Sequence, residues 1–545
     1  MRFLGQKLSL APVFVTGSKP LVAVQCGAAE VRVHRRVCRS VDHLELLNDK
    51  THHGPLQFVV TRVARNGTVT VVGTNVLEWR RVLVTGEFEG PIELFRFGGG
   101  SQVPVGVISV RLERSPPIKP GTGLANQFLS DHFRTEFMVR SKAESDFEAY
   151  CRTWWRDFIE LRPSHAQRRV QLFARSELGI HRCVCSYVAP IREMRGPTAP
   201  PDDGHGSKAD SAAIGVSGLL PTPRHAARFV SLIPLEQNST LAGATGVTEE
   251  GIWSTAHTFL TRGAGGTPDH ANLLCSLLLG FGLDAYVAMG TDEAGAATSW
   301  VCTLDRDSPG CGATFWSPLN GRRSPAVDVS SCRAAAGYGK LFALYSNCAF
   351  YGNVQPDDTV GASLSFDVTD ESAWKPVDPR RITALTADPL LTVVPRAVRS
   401  SPHSLADVEA TLEKQLRDEI AEYRRSTGGG LGIKWHDDLE AAIAPALYSY
   451  ETERVHGIAP GNDDFQMAVR HTVPSGCTFR GFPVAFNHTD AKKIFGTLLK
   501  HKVAREILET NGDVVAHGVR VRVALYPEGV MAVWFILACY FKPTV

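Results

Sequence analysis

The sequence predicts a multidomain protein in which an all-β sandwich precedes two α+β domains. Three observations lead to this fold class. The 545 residues exceed what one hydrophobic core usually organises. Short β-branched segments separated by turn residues occupy residues 8–112, and helical periodicity begins only at Ser141. From Thr222 onward, helical and strand-like patterns are mixed.

The composition is ordinary for a soluble globular protein. Hydrophobic residues make up 43% of the chain and charged residues 21%. The 58 basic and 56 acidic side chains leave a formal net charge of +2. Because a nucleic-acid-binding domain normally carries a clear basic excess, we expect no nucleic-acid partner.

Twelve cysteines are scattered along the chain without a Cys-x-x-Cys pair. Cys183 and Cys185 are spaced as on one face of a strand. Cys275, Cys348 and Cys539 lie in apolar runs, where a thiol packs as a small hydrophobic group. We therefore expect a reducing, cytosolic compartment, with no bound metal and no cofactor.

Two apolar segments bear on membrane contact. Residues 1–7 lack the apolar stretch and the small-residue cleavage site of a secretory signal, which favours a cytoplasmic protein. The late apolar run at 529–541 is shorter than the roughly 20 helical residues that span a bilayer. A buried strand is therefore predicted there.

The first domain, residues 1–120, is predicted from strand patterns. Residues 56–63 and 68–72 are β-branched runs on either side of Asn66-Gly67, which is a strong hairpin signal. We expect the two runs to pair antiparallel. A later strand alternates, with one apolar face formed by Ile108, Val110 and Leu112 and the other face by Val107, Ser109 and Arg111.

Residues 121–195 are predicted to be a connecting region of helix and strand. A Ser141/Glu144 capping box opens an amphipathic helical pattern that Pro163 ends. We expect this helix to dock its aromatic stripe onto a neighbouring domain. The stripe consists of Phe147, Tyr150, Cys151, Trp154, Trp155, Phe158 and Leu161.

The remaining boundaries follow composition and periodicity. Residues 196–221 are rich in Gly, Pro, Ala, Ser and Asp, which predicts a disordered loop. Residues 222–360 form the first α+β domain. A Pro-containing connector at 361–403 leads to the second α+β domain at 404–545.

The last domain is predicted to begin with a helix and to end with a hairpin. The glycines at 428–430 end the helix. Residues 519–523 alternate, 527–529 form a turn, and 530–540 return as a more buried strand. The apolar side of the helix carries Val408, Leu412, Leu416, Ile420 and Tyr423.

The segment 266–275 has the outline of a cysteine-protease or transglutaminase site. Such a site needs a thiolate at a helix N-terminus, an imidazole within reach, and a carboxylate or amide that orients the imidazole. Here a Gly-rich turn enters an apolar helix at 269–280, and strand-like segments follow at 298–301 and 314–317. The positions expected to carry that chemistry are Thr267, Thr298 and Ser317.

Several motifs are shared with one known family. Residues 269–280, Trp300 and Phe315-Trp316 resemble the transglutaminase-like domain of the family called centrosomal protein of 76 kDa. Further motifs resemble its C2 domain, its connecting region and its C-terminal part, so that most of the chain is covered in one order. These are Leu77-Glu78-Trp79-Arg80, Arg162-Pro163-Ser164-His165, Val184-Cys185-Ser186-Tyr187-Val188, Ala227-Arg228-Phe229-Val230, residues 366–372 with Trp374-Lys375-Pro376, and Gly481-Phe482-Pro483.

The resemblance implies a C2-like sandwich, a transglutaminase-like (papain-like) domain and a C-terminal α+β domain. The family pattern has Cys, His and an acidic residue where this chain has Thr267, Thr298 and Ser317, so we expect a degenerate site with no catalytic residue. Cys275 lies about 12 Å further along the helix and cannot substitute. His270 occupies a helix position that more often packs or caps.

The C2-like domain lacks the acidic residues that calcium binding requires. A calcium ion takes about six to eight oxygen ligands, and Asp42 and Asp49 are the only aspartates before Arg114. A basic face would suit anionic lipid or an acidic protein, although a solvated strand face is the simpler interpretation. This face would consist of Arg32, His34, Arg35, Arg36 and Arg39.

The sequence thus favours a pseudoenzyme scaffold that acts by protein binding. The resemblance implies a place in the cytoplasm and cytoskeleton, at the centrosome, centriole or basal body. It also implies a role in centriole duplication or cilium assembly, with centriolar or basal-body proteins as partners. Two alternatives remain open, namely a cysteine-protease- or transglutaminase-like enzyme with a rearranged site and a peripheral membrane-binding C2 module. The sequence does not set the oligomeric state.

Overall fold

The computed structural model describes residues 13–14, 23–26, 29–33, 56–63, 69–78, 85, 87–98, 101–113, 126–192, 194–196, 219–236, 252–306, 312–326, 337–361, 363–386, 405–427, 432–456, 463–512 and 514–542. The chain divides into two compact units, residues 1–194 with 233–395 and residues 195–232 with 396–545. Several features named above lie outside the described residues. These are the turn at 64–67, Asp42, Asp49, the side chain of Arg32, residues 34–39, the glycines at 428–430, positions 197–218 of the predicted loop 196–221, and positions 362 and 387–403 of the predicted connector 361–403. The described part of that connector contains a strand and a helix, Trp374–Pro376 and Pro379–Thr386, and Leu220 at the end of the predicted loop is buried.

Seven strands form the N-terminal sheet of the first unit. They are β1 (Val13–Phe14), β2 (Ala23–Cys26), β3 (Ala29–Val33), β4 (Leu56–Val63), β5 (Val69–Leu77), β6 (Glu87–Gly98) and β7 (Ser101–Glu113). Their spatial order is β1-β7-β6-β5-β4-β3-β2, with β1 parallel to β7 and the other pairs antiparallel. β4 and β5 pair from Leu56↔Leu77 to Val63↔Val69, which confirms the predicted antiparallel pairing.

One face of this sheet carries a hydrophobic core. Ile108 and Val110 on β7 are each 2% exposed, whereas Val107, on the opposite face of the strand, is 58% exposed. The alternation predicted for this strand is therefore confirmed at these positions. The buried members of the core are Phe58, Val60, Ile92, Leu94, Ile108 and Val110.

Helix α1 (Asn126–Leu161) follows the N-terminal sheet and ends before Pro163, as predicted. It begins well before Ser141, so the predicted capping box at Ser141 and Glu144 is wrong. Glu144 instead accepts a hydrogen bond from Arg140 at 3.1 Å. The sequence analysis missed the first half of α1. Its apolar side chains are exposed, Phe137 at 72%, and they do not repeat at the spacing of a buried helix face.

The second half of α1 docks through its aromatic stripe, as predicted. Phe147, Trp154 and Phe158 are at most 3% exposed. The indole N–H of Trp154 donates to the carbonyl oxygen of Pro376 at 2.9 Å, and its ring meets Phe350 edge-on at a centroid distance of 5.9 Å. These contacts attach α1 to strands that lie far along the chain.

Short elements continue from α1 into the α+β region. β8 (Phe173–Ser176) and β9 (His181–Cys183) form a hairpin, and β10 (Ile252–Trp253) adds parallel to β8. Helix α2 (Pro223–Leu232) lies between β9 and β10 in the chain but belongs to the second unit. The range 222–360, expected as one domain, is therefore divided between the two units.

The α+β part of the first unit is a mainly antiparallel sheet with helices. Helices α3 (Ala256–Arg262) and α4 (Thr267–Gly280) precede it, and α5 (Pro379–Thr386) follows it. The strands are β11 (Ala285–Asp292), β12 (Ala297–Asp305), β13 (Gly312–Trp316), β14 (Arg323–Pro325), β15 (Tyr338–Tyr345), β16 (Phe350–Asn353) and β17 (Trp374–Pro376). Their order is β14-β13-β12-β11-β15-β16-β17, and α4 packs on β11 and β12.

The second unit is built around a three-stranded sheet. Its elements after α2 are α6 (Leu405–Thr427), α7 (Asp437–His456), α8 (Asp463–Thr472), β18 (Thr478–Phe486), α9 (Ala491–Leu498), α10 (Lys502–Glu509), β19 (Val515–Leu525) and β20 (Met531–Phe541). β20 is the central strand between β18 and β19. Leu412, Leu416 and Ile420 of α6 are at most 2% exposed, which confirms the predicted apolar stripe of this helix.

The predicted C-terminal hairpin is also confirmed. β19 and β20 pair antiparallel from Val515↔Phe541 to Leu525↔Met531, and a short 3-10 turn at Pro527–Gly529 connects them. β20 is buried along almost its whole length, as the apolar sequence at 530–540 predicted. Within the described segments, no helix combines the length and the apolar character needed to cross a bilayer.

A buried carboxylate, Glu451 on α7, joins three parts of the second unit. Both of its oxygens accept hydrogen bonds from Arg228 of α2, each at 2.9 Å. Tyr526 and Trp534 donate to the same carboxylate at 2.5 and 2.6 Å. Burial raises the pKa of Glu451, but these donors outweigh burial and hold the pKa below its ordinary value. The carboxylate therefore fixes α2 to the hairpin.

We expect Glu451→Gln to destabilise the second unit by about 3 to 5 kcal/mol, because it leaves the buried Arg228 guanidinium without a counter-charge. Urea denaturation of the full chain, with hydrogen exchange of α2 amides as the local readout, measures this loss. Glu422→Gln is the matched control, since Glu422 and Arg425 form an exposed pair worth less than about 1 kcal/mol. Equal stability of the two variants would contradict the prediction.

Candidate functional site

The site outlined by the sequence is the N-terminal turn of α4. The helix begins at Thr267 and not at Asp269. Pro268 suits the first turn because its φ is already helical and because it has no backbone N–H that would remain unpaired there. Thr267 is therefore the first helical residue, and its side chain is half-buried. This is the place where a helix N-terminus would lower the pKa of a thiol, but the chain supplies a hydroxyl there.

Asp269 holds the turn that enters α4. Its carboxylate accepts the backbone N–H of Gly266 at 2.9 Å and that of Ser254 at 2.8 Å. Burial raises the pKa of this carboxyl to about 6, although the two N–H groups act in the opposite direction. The Asp269 side chain therefore joins two loops and has both oxygens occupied.

Gly265 makes this arrangement sterically feasible. A Cβ atom at this position would lie 2.6 Å from the ring of Phe259 and 2.7 Å from Asp269 Oδ2. Both distances are too short for a Cβ atom, so the close approach of the backbone to Phe259 and Asp269 requires glycine at this position. The Gly-rich character of the turn is thus explained by close packing over the α4 N-terminus.

His270 is a packing residue and not a base aimed at Thr267. It is fully buried, and its Nδ1 and Nε2 lie 2.7 Å from the carbonyl oxygen of Gly266 and 3.0 Å from that of Ile233. Burial lowers the pKa of the imidazole, although the two carbonyl oxygens act in the opposite direction. Because both ring nitrogens face backbone acceptors, neither is available to take a proton from a hydroxyl.

Cys275 is removed from the helix N-terminus and from solvent. Its side chain is 0% exposed in the interior that faces the sheet. Burial raises the pKa of the thiol well above its ordinary value, so the thiolate that a nucleophile requires is disfavoured. The expectation that Cys275 cannot replace a nucleophile at position 267 agrees with this burial.

Thr298 and Ser317 lie on neighbouring strands. Thr298 is on β12, opposite Gly290 of β11, and Ser317 directly follows the last residue of β13. β12 and β13 are paired from Asp305↔Gly312 to Val301↔Trp316. Thr298 lies two residues from Trp300 and so shares its face of the strand. Thr298, near the start of β12, and Ser317, just after the end of β13, therefore lie at the same end of this antiparallel strand pair.

The structure brings the three positions into one domain, on the elements that the sequence indicated. Thr267 begins α4, α4 packs on β12, and β12 pairs with β13. Ser317 is 8% exposed, and its backbone N–H donates to Arg322 at 2.8 Å, which closes a turn. Each of the three positions thus carries a hydroxyl group, whereas acyl transfer by this mechanism uses a thiol, an imidazole and a carboxylate or amide.

Sequence reasoning missed a second buried carboxylate beside this turn. Glu177 accepts hydrogen bonds from the hydroxyl groups of Thr255 and Thr258, each at 2.6 Å. It lines a crevice between the N-terminal sheet and α3, with Thr74 and Arg262 among the other lining residues. The partners of Glu177 lie some eighty positions away, so no local pattern identifies it. A Gly-x-x-Asp pattern at 266–269 was the one available signal for Asp269.

No cluster of three or more metal-binding side chains is present among the described residues. The acidic groups around α4 are instead hydrogen-bonded to backbone N–H or hydroxyl donors.

Three family models match the chain in the order of its domains. The model described as CEP76 C2 domain matches residues 28–119, and the one described as CEP76 peptidase-like domain matches residues 251–377. The model described as Centrosomal protein of 76 kDa C-terminal domain matches residues 401–542. Fold and site therefore define a protein with an N-terminal C2 domain, a peptidase-like domain and a C-terminal domain.

Whole-chain relatives agree with these matches. Centrosomal protein of 76 kDa of Homo sapiens is 36% identical over 504 residues, covering 90% of this chain and 71% of the relative. The Xenopus laevis protein is 36% identical over 501 residues, covering 90% and 70%. The Danio rerio protein is 34% identical with the same coverage. The chain belongs to the family of centrosomal protein of 76 kDa, which confirms the resemblance inferred from its motifs.

We expect Asp269→Asn to remove a pH dependence from the stability of α4. The pKa of Asp269 rises from 3.8 to about 6 on folding, so the folded state holds the proton more tightly and loses stability as the pH rises from about 4 to 6. The loss is about 3 kcal/mol. Native-state hydrogen exchange of residues 267–280 between pH 4 and 7, corrected for intrinsic rates, measures it.

The asparagine variant also leaves one of the two N–H donors without an acceptor, which lowers stability at every pH by about 1 to 3 kcal/mol. The difference between wild type and variant should therefore be larger at pH 4 than at pH 7. The same pH slope in both proteins would show that Asp269 does not titrate as stated.

Proposed function

We propose that the chain is a non-catalytic scaffold of the centrosome, centriole or basal body that acts by protein binding. The observation that carries the non-catalytic part is the residue at the start of α4, where a hydroxyl, Thr267, replaces the thiol that this mechanism needs. Thr298 and Ser317 likewise occupy the positions of the base and of the group that orients it. The pseudoenzyme assignment rests on all three residues.

The neighbouring titratable groups support this proposal. A threonine hydroxyl becomes a nucleophile only beside a base that takes its proton. Asp269 uses both carboxylate oxygens on backbone N–H groups, and His270 has both ring nitrogens at backbone carbonyls. The carboxylate of Glu177 accepts from two threonine hydroxyls. Each of these groups is engaged in holding the loops around α4.

The cellular location is proposed from the relatives. The relatives that match 90% of this chain are centrosomal proteins of 76 kDa. From this family membership, we place the chain in the cytoskeleton at the centrosome, with centriolar or basal-body proteins as its partners. A part in centriole duplication or cilium assembly follows as the finer proposal.

We expect a tagged copy of the chain to form foci on centrioles or basal bodies of a dividing, ciliated or flagellated cell. Expansion microscopy against a centriole marker measures this. Thr267→Ala is the internal control and should give the same foci, because the proposed role does not use the hydroxyl. A diffuse cytosolic or membrane signal from the wild-type protein would contradict the proposed location and favour the membrane-binding alternative.

We also expect the purified chain to show no turnover of labelled casein, either as proteolysis or as incorporation of a fluorescent primary amine. Wild type, Thr267→Ala and Thr298→Ala should give the same background, because no thiolate and base are paired at the α4 N-terminus. Product formation by wild type that falls at least about tenfold in Thr267→Ala would establish an enzyme with a rearranged site.

A further inference from the structure

The three-stranded sheet of the second unit has two edges of opposite character. β20 is the central strand, so β18 and β19 each have one side that faces away from the ladder. The backbone N–H and C=O groups on such a side are available to pair with another strand unless the protein covers them. The protein covers these groups on the β19 edge but not on the β18 edge, among the described residues.

The β19 edge is closed by glutamate side chains. Alternate residues of β19 direct their N–H groups away from β20, and carboxylates from α6 and α7 accept three of them. The next N–H in this series, that of His517, donates to a backbone carbonyl. The hydrogen bonds are Val523 to Glu409 at 2.8 Å, Val521 to Glu413 at 3.3 Å, Val519 to Glu440 at 3.4 Å, and His517 to Lys434 at 2.8 Å.

These carboxylates are themselves held in place. Arg522 pairs with Glu409 at 3.2 Å, Arg520 with Glu413 at 3.2 Å, and Arg417 with Glu440 at 2.5 Å. Because each acceptor is fixed by a guanidinium, a further strand cannot replace it without breaking an ion pair. The β19 edge is therefore closed to strand addition.

The β18 edge has no such cover among the described residues. Its nine residues, Thr478–Phe486, form a ladder with β20 alone. Pro483 stands in the middle of the strand, opposite Ile536. Since proline has no N–H to give to a ladder, its nitrogen faces outward, and the residues two positions away face outward with it. Gly481 and Ala485 thus direct their N–H groups away from β20.

The side chains of β18 are incompletely covered on both faces of the sheet. Phe482, Val484 and Phe486 contact the core formed with α6, α9 and α10, and Phe479 contacts the core on the α7 side. All four are half-buried, whereas the side chains of β20 are almost all buried. An added strand would bury the remaining apolar surface on both faces.

Positive charge surrounds this edge. The ring of Phe482 lies 5.2 Å from that of His501, which sets the start of α10 beside the strand. Lys500 and Lys502 flank His501, and the Lys502 side chain is 85% exposed. Arg480 on the strand is also exposed, and Glu506 is the ion-pair partner of both Arg480, at 3.2 Å, and Lys502, at 3.9 Å. Cations thus outnumber carboxylates at this position.

The charge decides between two occupants. Two copies of β18 paired edge to edge would bring Arg480 and the lysines of one copy against those of the other, and like charges across a strand pair are destabilising. An extended segment with acidic side chains would meet the same cations favourably. The occupant that fits is therefore an acidic strand and not a second copy.

We propose that β18 is a docking edge that takes an acidic, extended peptide segment of a partner protein as a fourth strand of the sheet. Backbone hydrogen bonds to the outward groups of β18 supply the pairing, and contacts with Arg480, Lys500 and Lys502 select acidic partners. The inference rests on the proposed function only in taking protein binding as the activity of the chain, and its test requires no centriole.

The test uses the full chain and a fluorescein-labelled nine-residue peptide of alternating glutamate and valine. Two comparison peptides accompany it, one of alternating lysine and valine and one of glutamate and proline, which cannot pair as a strand. Fluorescence anisotropy should show binding of the glutamate–valine peptide alone, weakened by added salt. Hydrogen exchange of residues 478–486 should slow on binding, while that of residues 515–525 stays unchanged.

Two variants locate the site. Lys500→Glu with Lys502→Glu should weaken binding about tenfold, because two exposed charges change sign. The matched control, Lys414→Glu with Lys434→Glu, changes two exposed lysines on α6 and next to β19 and should leave binding unchanged. Ala485→Pro removes one outward N–H and should weaken binding without altering these charges.

Three outcomes would overturn the proposal. The first is equal binding of the lysine–valine peptide, and the second is slowed exchange at residues 515–525 with none at 478–486. The third is a dimer by light scattering in which residues 478–486 are already protected from hydrogen exchange without peptide. This result would show that a second copy of the chain occupies the β18 edge. A failure of centriolar localisation alone would leave this in vitro result unaffected.

Discussion

The buried carboxylate of Asp269 is the interaction on which the peptidase-like domain depends. It ties the Ser254 loop and the Gly266 turn to the first turn of α4, and α4 in turn packs on β11 and β12. Burial works against the charge of this carboxyl and raises its pKa to about 6, so the arrangement persists because two N–H donors are satisfied at once. Gly265 and His270 are placed to permit the same close approach.

The buried acids of this protein hold separate structural elements together by accepting hydrogen bonds. Glu177 accepts hydrogen bonds from two threonine hydroxyl groups, and Glu451 accepts them from the side chains of an arginine, a tyrosine and a tryptophan. Three further glutamates close the β19 edge. Each of these carboxylates is engaged in hydrogen bonds that stabilise the fold. This arrangement agrees with a chain whose work is done at its surfaces.

The peptidase-like domain carries hydroxyl side chains at all three positions that the sequence analysis singled out, Thr267, Thr298 and Ser317. The helix start, the strand and the strand end at which the sequence predicts these positions are elements of one domain. Trp300 and Phe315 pack in a hydrophobic core of its sheet. Such a framework is maintained by packing, which is indifferent to whether position 267 is a thiol or a hydroxyl. A change of side chain at position 267 therefore need not alter the fold.

The sequence by itself determined what local patterns control. Alternation and turn residues predicted the β4–β5 and β19–β20 pairs, and helical periodicity predicted the buried side of α6. It failed at the start of α1, where exposed apolar side chains hide the helix. Only the tertiary structure decided that α2 belongs to the second unit, that Glu451 holds it there, and that one edge of the C-terminal sheet is closed. These features join residues far apart in the chain, and a sequence pattern reports on near neighbours alone.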